Sequence, residues 1–303
     1  MPRKVKAQTA AQLTVQPTKR TPAGRAPVQA MPVANDIHAS AVIDRKAVIG
    51  AGVRIGPFCT IGPDVSLGDG VELKSHVALA GRTSLGARTV VFPFASLGHQ
   101  PQDLKYKGEP STLKIGADCV IREGVTMNPG TEGGGMKTVV GDKCVFLGNS
   151  HVGHDCIVGN NLILSHGAML AGHVTLGDYV IVSGGAAIIQ FARVGNHAFV
   201  GGLSGLEQDL IPYGMALGNR AHLSGLNIIG LQRRGFTREQ IHSLRRAYRL
   251  LFAPEGTLKE RAADVAEEFK GHPIVHEILE FIDQPSKRSL CMPTELPRET
   301  AGG

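Results

Sequence analysis

Residues 43–73 read IDRKAVIGAGVRIGPFCTIGPDVSLGDGVEL, and they decide the fold because an aliphatic side chain recurs at every sixth position. The register continues to Leu97, resumes at Ile115 after an interruption, and runs again from Val140 to Leu206. Neither an amphipathic helix, with a period of about 3.6 residues, nor an alternating strand has a fixed period of six. Short parallel strands stacked in coils do, because each strand places one aliphatic side chain inside.

Smaller side chains recur two residues before each aliphatic one, and they include four of the five cysteines. Residues i and i−2 of a strand point to the same side, so we predict these cysteines as core residues rather than metal ligands or disulfides. That use of cysteine fits a reducing compartment, and we expect a cytoplasmic protein. Three six-residue units make one coil, so residues 18 apart should lie one above the other, about 4.8 Å apart. The four core cysteines are Cys59, Cys119, Cys144 and Cys156.

The charge of the chain argues against nucleic-acid binding. The net charge is +6, and residues 1–34 carry six Lys and Arg and no acid, so the rest of the chain is nearly neutral. A basic surface that could follow a nucleic-acid backbone is therefore not expected. No apolar run approaches the roughly 18 residues of a membrane span, so we predict a soluble chain without one.

Changes in composition and period predict four segments. Residues 1–34 lack any period and are predicted as a disordered basic extension, for which a transit peptide or a true start at Met31 are alternatives. Near the C-terminus the period becomes helical, and Thr237 with Gln240 has the spacing of a capping box. The remaining predicted segments are a solenoid at 35–225 with loop insertions at 99–114 and 128–137, a helical subdomain at 226–284 and a loose tail at 285–303.

One surface column of the predicted solenoid has the groups that acyl transfer needs. His154 lies beside a corner, and adding 18 gives Gly172, followed by His173, and then Gln190. An imidazole can act as a general base on a hydroxyl, and a glycine N–H can stabilise an oxyanion. Asp155 is placed to orient the imidazole. We therefore predict a catalytic group of His154, Asp155 and Gly172.

Two other interpretations of these histidines remain open. They can be ordinary outward polar residues of a solenoid, half of whose positions face water. They can also bind zinc, since His151 and His154 would supply two ligands, although the sequence offers no compelling third. We predict that the site uses neither a metal nor a cofactor.

The column belongs to a set of motifs that extends over residues 36–283. The set resembles the hexapeptide-repeat family of UDP-N-acetylglucosamine 3-O-acyltransferases, which act in lipid A and hence lipopolysaccharide biosynthesis. Its motifs are Asp103-Leu104-Lys105-Tyr106, Gly108-Glu109-Pro110, Ile121-Arg122-Glu123, Gly133-Gly134-Gly135, residues 151–156, Leu170-Ala171-Gly172-His173, Gln190-Phe191, Gly218-Asn219 and Arg233-Arg234-Gly235-Phe236.

The resemblance implies an all-β solenoid plus α: a left-handed parallel β-helix with a C-terminal helical subdomain, in a homotrimer with active sites between subunits. It also implies transfer of an (R)-3-hydroxyacyl chain from acyl carrier protein to the 3-hydroxyl of UDP-N-acetylglucosamine, the first step of lipid A biosynthesis. By the same resemblance, His154 is the base, Asp155 its partner and Gly172 the oxyanion donor. The implied substrate-binding residues are Asp103, Lys105, His151, His173, Gln190, Asn227 and Arg233.

Some positions depart from the family pattern. Ile189 and Arg220 stand where many relatives have histidine, and Ile229 replaces a glutamate found in some of them. Gly202 resembles the position that limits acyl-chain length, and glycine there predicts a long chain, about C12 to C16 or beyond. The alternatives are the same transfer to the 3-amino group of a UDP-2,3-diamino sugar and, from a different class, a non-catalytic solenoid scaffold.

Overall fold

The computed structural model describes residues 34–294. The predicted basic extension therefore lies almost entirely outside the described residues, as does the predicted tail from residue 295 onward. Within residues 34–294 the chain forms three sheets of short strands, followed by four α-helices.

Most strands are two residues long, and each pairs in parallel with the strands one coil before and after it. The eleven-stranded sheet comprises Asp36–Ile37, Arg54–Ile55, Glu72–Leu73, Val90–Val91, Val120–Ile121, Val145–Phe146, Ile163–Leu164, Ile181–Val182, Phe199–Val200, Gly214–Leu217 and His222–Leu226, the last pair being antiparallel. The nine-stranded sheet comprises Val42–Ile43, Thr60–Ile61, Ala78–Leu79, Ser96–Leu97, Thr126–Met127, His151–Val152, Met169–Leu170, Ala187–Ile188 and Gly205–Leu206. The eight-stranded sheet comprises Val48–Ile49, Ser66–Leu67, Arg82–Leu85, Thr112–Ile115, Lys137–Val140, Ile157–Val158, Thr175–Leu176 and Arg193–Val194.

The predicted 18-residue offset holds on the coils without an insertion up to the last one, where Phe199 pairs with Met215 at an offset of 16. His151 pairs with Met169, and Met169 pairs with Ala187. Ser96 pairs with Thr126 and Thr126 with His151, so one coil is 30 residues long and the next is 25. The two insertions therefore leave the solenoid and return to the same register.

The periodic aliphatic side chains form the core of the solenoid, and the four predicted core cysteines are buried and free, which confirms the prediction for them. Several corners that follow a strand contain a non-glycine residue in the left-handed region, where Asp and His are among the better tolerated residues. Three such corners are stacked, with φ of 60° at Asp155, 62° at His173 and 67° at Phe191. These corners turn their side chains toward one edge of the solenoid.

The four helices follow the last strand. They span Ile228–Arg233, Arg238–Leu251, Leu258–Glu268 and Pro273–Asp283, and a short 3₁₀ helix, Glu132–Gly134, lies in the second insertion. Thr237 with Gln240 forms the predicted capping box, and a second one precedes the third helix. Among the described helices, none combines the length and apolar composition that crossing a membrane requires.

Polar contacts dock the last helix against the end of the solenoid. The Arg193 guanidinium donates to the Asp209 carboxylate at 2.7 Å and to the Phe281 carbonyl at 3.2 Å. The Asn196 amide donates to Glu277 at 2.7 Å, and the Tyr213 hydroxyl donates to the same carboxylate. The helical subdomain thus covers part of the last coils, whose edge would otherwise remain open to other chains.

Residues 285–294, predicted as the start of a loose tail, pack against the solenoid instead. Asp209 N–H donates to the Ser289 carbonyl at 2.9 Å, and Cys291 N–H donates to the Asp209 carbonyl at 2.7 Å. Leu223 N–H donates to the Met292 carbonyl at 3.1 Å, and the Cys291 side chain is fully buried. The unpaired backbone groups of the last coil explain this docking, because they need partners that a loose tail would not supply.

Candidate active site

His154 and Asp155 form a hydrogen-bonded pair at the stacked corners. The Nδ1 atom of His154 lies 2.8 Å from Oδ2 of Asp155, and because a carboxylate only accepts, Nδ1 is the donor. The side chain of Asp155 is completely buried, whereas that of His154 is 18% exposed. The imidazole is therefore fixed on its inner side by a buried carboxylate and open on its outer side.

Thr131 satisfies the rest of the Asp155 carboxylate. Its backbone N–H donates to Oδ1 at 2.8 Å, and its hydroxyl donates to Oδ2 at 2.6 Å. The loop also closes over the carboxylate at Gly134, where an added Cβ would lie 1.9 Å from the Asp155 Cγ. The glycines of this loop form a motif in the sequence, but no sequence pattern identifies Thr131. The 25-residue coil hid it, because Thr131 lies 24 residues before Asp155 rather than near 18.

Gly172 lies directly against the His154 ring, one coil further on. A Cβ at Gly172 would be 2.6 Å from both Cε1 and Nε2 of that ring. The coils are joined here by His173 N–H donating to the His154 carbonyl at 2.8 Å and Phe191 N–H donating to the Gly172 carbonyl at 3.2 Å. Within residues 34–294 the Gly172 N–H meets no hydrogen-bond acceptor.

His173 links the pair to an aromatic side chain. Its ring meets the His154 ring edge-on with centroids 5.0 Å apart and stacks on Phe191 at 4.3 Å with an interplanar angle of 12°. Its Nδ1 atom lies 3.9 Å from the Asp155 carboxylate. Stacking on Phe191 holds the His173 ring in place, and this ring closes one side of the space around His154.

Burial keeps two neighbouring imidazoles uncharged. Burial lowers the pKa of His151 below its ordinary value, and the nearby His154 lowers it further. Burial likewise lowers the pKa of His173, against the opposing effect of the Asp155 and Asp103 carboxylates. At cellular pH these rings are therefore neutral hydrogen-bonding groups rather than cations.

The first insertion brings Asp103 into the electrostatic surroundings of His173, since its charge acts on that ring. Asp103 is half-buried and accepts a hydrogen bond from the backbone N–H of Lys105 at 3.0 Å, while the Lys105 side chain is exposed. Gln190 is exposed on the coil after Gly172, as its predicted stacking requires. His151 lies on the coil of His154, with its Nδ1 atom 2.7 Å from the Thr126 hydroxyl.

Three predicted site residues have no described contact with the His154 pair. Asn227 caps the first helix, accepting from Gly230 N–H at 3.1 Å, and its amide donates to the His197 carbonyl at 2.9 Å. Arg233 is exposed in the last turn of that helix. Gly202 is exposed and has room for a Cβ, whose nearest neighbour would be the Gly184 carbonyl oxygen at 3.5 Å, an ordinary contact.

The described part of the chain has one group with metal-binding spacing, His154, Asp155 and His173, whose donor atoms lie within 4.8 Å of one another. This set differs from the zinc alternative considered above, which paired His151 with His154. Both Asp155 oxygens already accept hydrogen bonds from Thr131, and Oδ2 also accepts from His154. A metal bound here would compete with those donors for the carboxylate, since three of its roughly four lone-pair sites already accept hydrogen bonds.

Chelation tests the metal-free prediction directly. Exhaustive dialysis against EDTA is expected to leave acyl transfer unchanged, because an imidazole base and a peptide N–H need no Lewis acid. The measurement is the initial rate before and after dialysis, with total zinc determined on both samples. A rate that falls with the zinc content and returns on adding zinc would contradict the prediction.

Comparison with known proteins shows which family the chain resembles. The family model described as Udp N-acetylglucosamine O-acyltransferase, domain 2, matches residues 209–291, and that described as bacterial transferase hexapeptide (six repeats) matches residues 46–81. The acyl-[acyl-carrier-protein]–UDP-N-acetylglucosamine O-acyltransferase of Methylobacterium radiotolerans is 71% identical over 207 residues, which are 68% of this chain and 76% of that protein.

Solved structures agree. A crystal structure of a UDP-N-acetylglucosamine acyltransferase is similar with a TM-score of 0.83 at 44% identity, over 86% of this chain and 100% of that one. The Francisella novicida UDP-N-acetylglucosamine acyltransferase is similar with a TM-score of 0.82 at 35% identity, over 86% and 95%. The predicted left-handed parallel β-helix with a helical subdomain is thus confirmed. The chain is an enzyme and belongs to the family of acyl-[acyl-carrier-protein]–UDP-N-acetylglucosamine O-acyltransferases.

Proposed function

We propose that this enzyme transfers an (R)-3-hydroxyacyl chain from acyl carrier protein to the 3-hydroxyl of UDP-N-acetylglucosamine, with His154 as the general base. The names of its relatives supply the donor and acceptor classes. The observation that carries the mechanism is the His154–Asp155 pair, whose imidazole lies against the backbone of Gly172. Base, orienting carboxylate and oxyanion donor are thus within reach of one reacting carbonyl.

In this proposal each ring nitrogen of His154 has its own task. Nδ1 carries a hydrogen and donates a hydrogen bond to Asp155, so Nε2 carries the lone pair that can take the proton of the sugar hydroxyl. The sugar oxygen then attacks the thioester carbon, and the Gly172 N–H stabilises the negative charge that develops on the carbonyl oxygen. When the intermediate collapses, the carrier thiolate leaves and takes the proton from the imidazolium. The reaction forms one ester and breaks one thioester.

Asp155 and Thr131 are proposed to act through His154. The buried carboxylate stabilises the imidazolium that forms during the reaction, and it holds the ring in the tautomer that leaves Nε2 free. Two donors from Thr131 fix the carboxylate in turn. The second insertion, which the sequence predicts only as a loop, therefore helps to position the base in this proposal.

The remaining predicted residues are proposed as substrate contacts. Asp103 and Lys105 belong to an insertion beside His173 and suit the sugar and a phosphate, respectively. Asn227 and Arg233 have no described contact with His154, so we propose that they meet the substrate across a subunit boundary in a homotrimer. Sedimentation measures the state directly, and a monomer at assay concentration would refute this arrangement.

The acceptor separates this proposal from its nearest alternative, transfer to the 3-amino group of a UDP-2,3-diamino sugar. The same base could deprotonate an ammonium, so the assay offers both acceptors with a series of 3-hydroxyacyl carrier proteins. The proposal expects an alkali-labile ester on UDP-N-acetylglucosamine. An alkali-stable amide on the amino sugar alone would favour the alternative, and no transfer to either acceptor would favour a scaffold.

Gly202 provides a test of acyl-chain length. Gly202→Met is expected to shift the preferred donor to a chain shorter by several carbons, because this exposed position accepts a Cβ without a clash and the longer side chain would occupy part of the proposed acyl site. The measurement is kcat/KM across donors of increasing length. The backbone of Gly202 has no left-handed φ, so the variant should fold normally. An unchanged length profile would remove Gly202 from the acyl site.

We also propose that the enzyme works in the cytoplasm. All five cysteines are free and buried, and none of them is paired in a disulfide. Free thiols are usual in reducing compartments. Cell fractionation tests this, and recovery of the protein in a periplasmic fraction would contradict it.

A further inference from the structure

Residues 286–292, here called the C-terminal strap, cross the end of the polar column. Arg288 donates from Nε to the carbonyl of Gln190 at 2.9 Å, and the Nζ atom of Lys287 lies 4.1 Å from the centroid of the Phe191 ring. On the next coil the Gln208 amide donates to the Ser289 hydroxyl at 3.1 Å. The strap therefore contacts two successive coils along the column that begins at His154.

Lys287 is connected to His154 through two intervening aromatic rings. Phe191, over which its ammonium lies, stacks on His173, and His173 packs edge-on against His154. Four groups have charges that act on His173, and they come from three parts of the fold: Asp155 and His154 from its own column, Lys287 from the strap and Asp103 from the first insertion. The strap thus places a cation at the mouth of the site.

Neither cation of the strap has an acidic partner in the part of the chain that the structure describes. Among residues 34–294, no carboxylate lies within 4.0 Å of Lys287 or Arg288. On the coils some solvent-facing arginines do pair, as Arg88 does with Asp118 at 2.6 Å, whereas Arg45 and Arg82 have no such partner among residues 34–294. Two adjacent cations held near a site by backbone and aromatic contacts, with their charges uncompensated, suit an anionic ligand.

A cleft of about 560 Å³ continues from this point. It begins at Ile189, and Gln208, the next residue of the column after Gln190, lies in its wall. Arg220, His222 and Arg288 also line the cleft, against one carboxylate, that of Glu207. By coil spacing the cleft lies two to three coils from His154, roughly 10 to 15 Å. Its lining is therefore basic and within reach of a substrate that reacts at His154.

We propose that the C-terminal strap forms a binding site for a phosphate ester of the substrates, with Lys287 as its principal contact and with Arg288 and Arg220 beside it. This rests on the proposed function, whose two substrates both carry phosphate: the phosphopantetheine arm of the carrier and the diphosphate of the sugar nucleotide. Lys105 is already proposed for a phosphate of the sugar nucleotide. The strap cations are therefore assigned to the phosphopantetheine phosphate.

The test uses two minimal donors, a 3-hydroxyacyl phosphopantetheine and the same thioester of pantetheine, which lacks the phosphate. The wild-type enzyme is expected to have a KM about fivefold lower for the phosphorylated donor, the upper range for an exposed ion pair. Lys287→Gln removes the charge but keeps a shorter, polar side chain beside Phe191, and it should abolish that difference, while Lys287→Arg should restore it. Lys270→Gln, a matched loss of one exposed cation on the helical subdomain, should preserve it.

The kinetic outcomes are distinct. A raised KM for UDP-N-acetylglucosamine in Lys287→Gln, with donor discrimination intact, supports the phosphate site and assigns it to the sugar nucleotide. Unchanged KM values for both substrates overturn the proposal. A calorimetric comparison of phosphopantetheine and pantetheine binding needs no turnover. It therefore tests the strap even if the enzyme transfers no acyl group. Absence of transfer would refute the proposed function, whereas equal affinity for the two compounds would refute the strap site.

Discussion

Replacing His154 with alanine is expected to lower kcat by about 10²-fold or more while the fold stays intact. The imidazole is the only described group hydrogen-bonded to Asp155 that also has an open side, so the variant leaves the sugar hydroxyl without a base. The measurement is the turnover of acyl carrier protein thioester with UDP-N-acetylglucosamine, alongside a thermal unfolding curve.

The chain offers a matched control for this variant. His166 lies two residues after the inward Leu164, as His154 lies two residues after Val152, but it faces solvent on another side of the solenoid. His166→Ala should keep full turnover. Near-normal turnover in His154→Ala would remove the base from the mechanism, and equal losses in both variants would mean that general damage, not chemistry, causes the effect.

Gly172→Ala is expected to reduce kcat by about 10²-fold although it removes no functional group. The new methyl carbon would lie 2.6 Å from two atoms of the His154 ring, so the ring must leave the position that its bond to Asp155 defines. A displacement of about 1 Å at a catalytic group costs a loss of this order. The Gly172 N–H remains, so the variant reports on the position of the base.

Stability should change little in Gly172→Ala, because the group that must yield is a partly exposed ring rather than backbone. Gly62→Ala is the control at another corner, where an added Cβ would meet its nearest atom at 3.5 Å, an ordinary contact. We expect wild-type turnover and unfolding temperature for Gly62→Ala. Equal turnover in the two alanine variants would show that the tight approach of Gly172 to His154 has no catalytic role.

The six-residue period was enough to predict the stacking of this site, for a simple physical reason. Parallel strands in a solenoid pair at a constant offset, so residue numbers convert into positions wherever no loop interrupts the coils. His154, Gly172 and Gln190 lie on uninterrupted coils, so the 18-residue offset alone predicts that they are stacked. The capping box at Thr237 was equally local, since its partner is three residues away.

The contacts that the sequence could not predict depend on interrupted or distant segments. Thr131 reaches Asp155 from a coil lengthened to 25 residues, so no fixed offset identifies it. The strap docks because Asp209 on the last coil has backbone groups to satisfy, and no local pattern in residues 285–294 records that partner. The environment of Asn227, a helix cap, likewise depended on where the helical subdomain begins.

The most direct test of the account is the mass of every species in one reaction of the wild-type chain with a 3-hydroxyacyl carrier protein and UDP-N-acetylglucosamine. The account predicts a sugar nucleotide heavier by one hydroxyacyl group, released carrier thiol, and an enzyme whose mass remains that of the unmodified 32.0 kDa chain at every time point. A persistent acyl adduct on the enzyme, or no acylated sugar nucleotide with any chain length, would contradict direct transfer assisted by the His154 base.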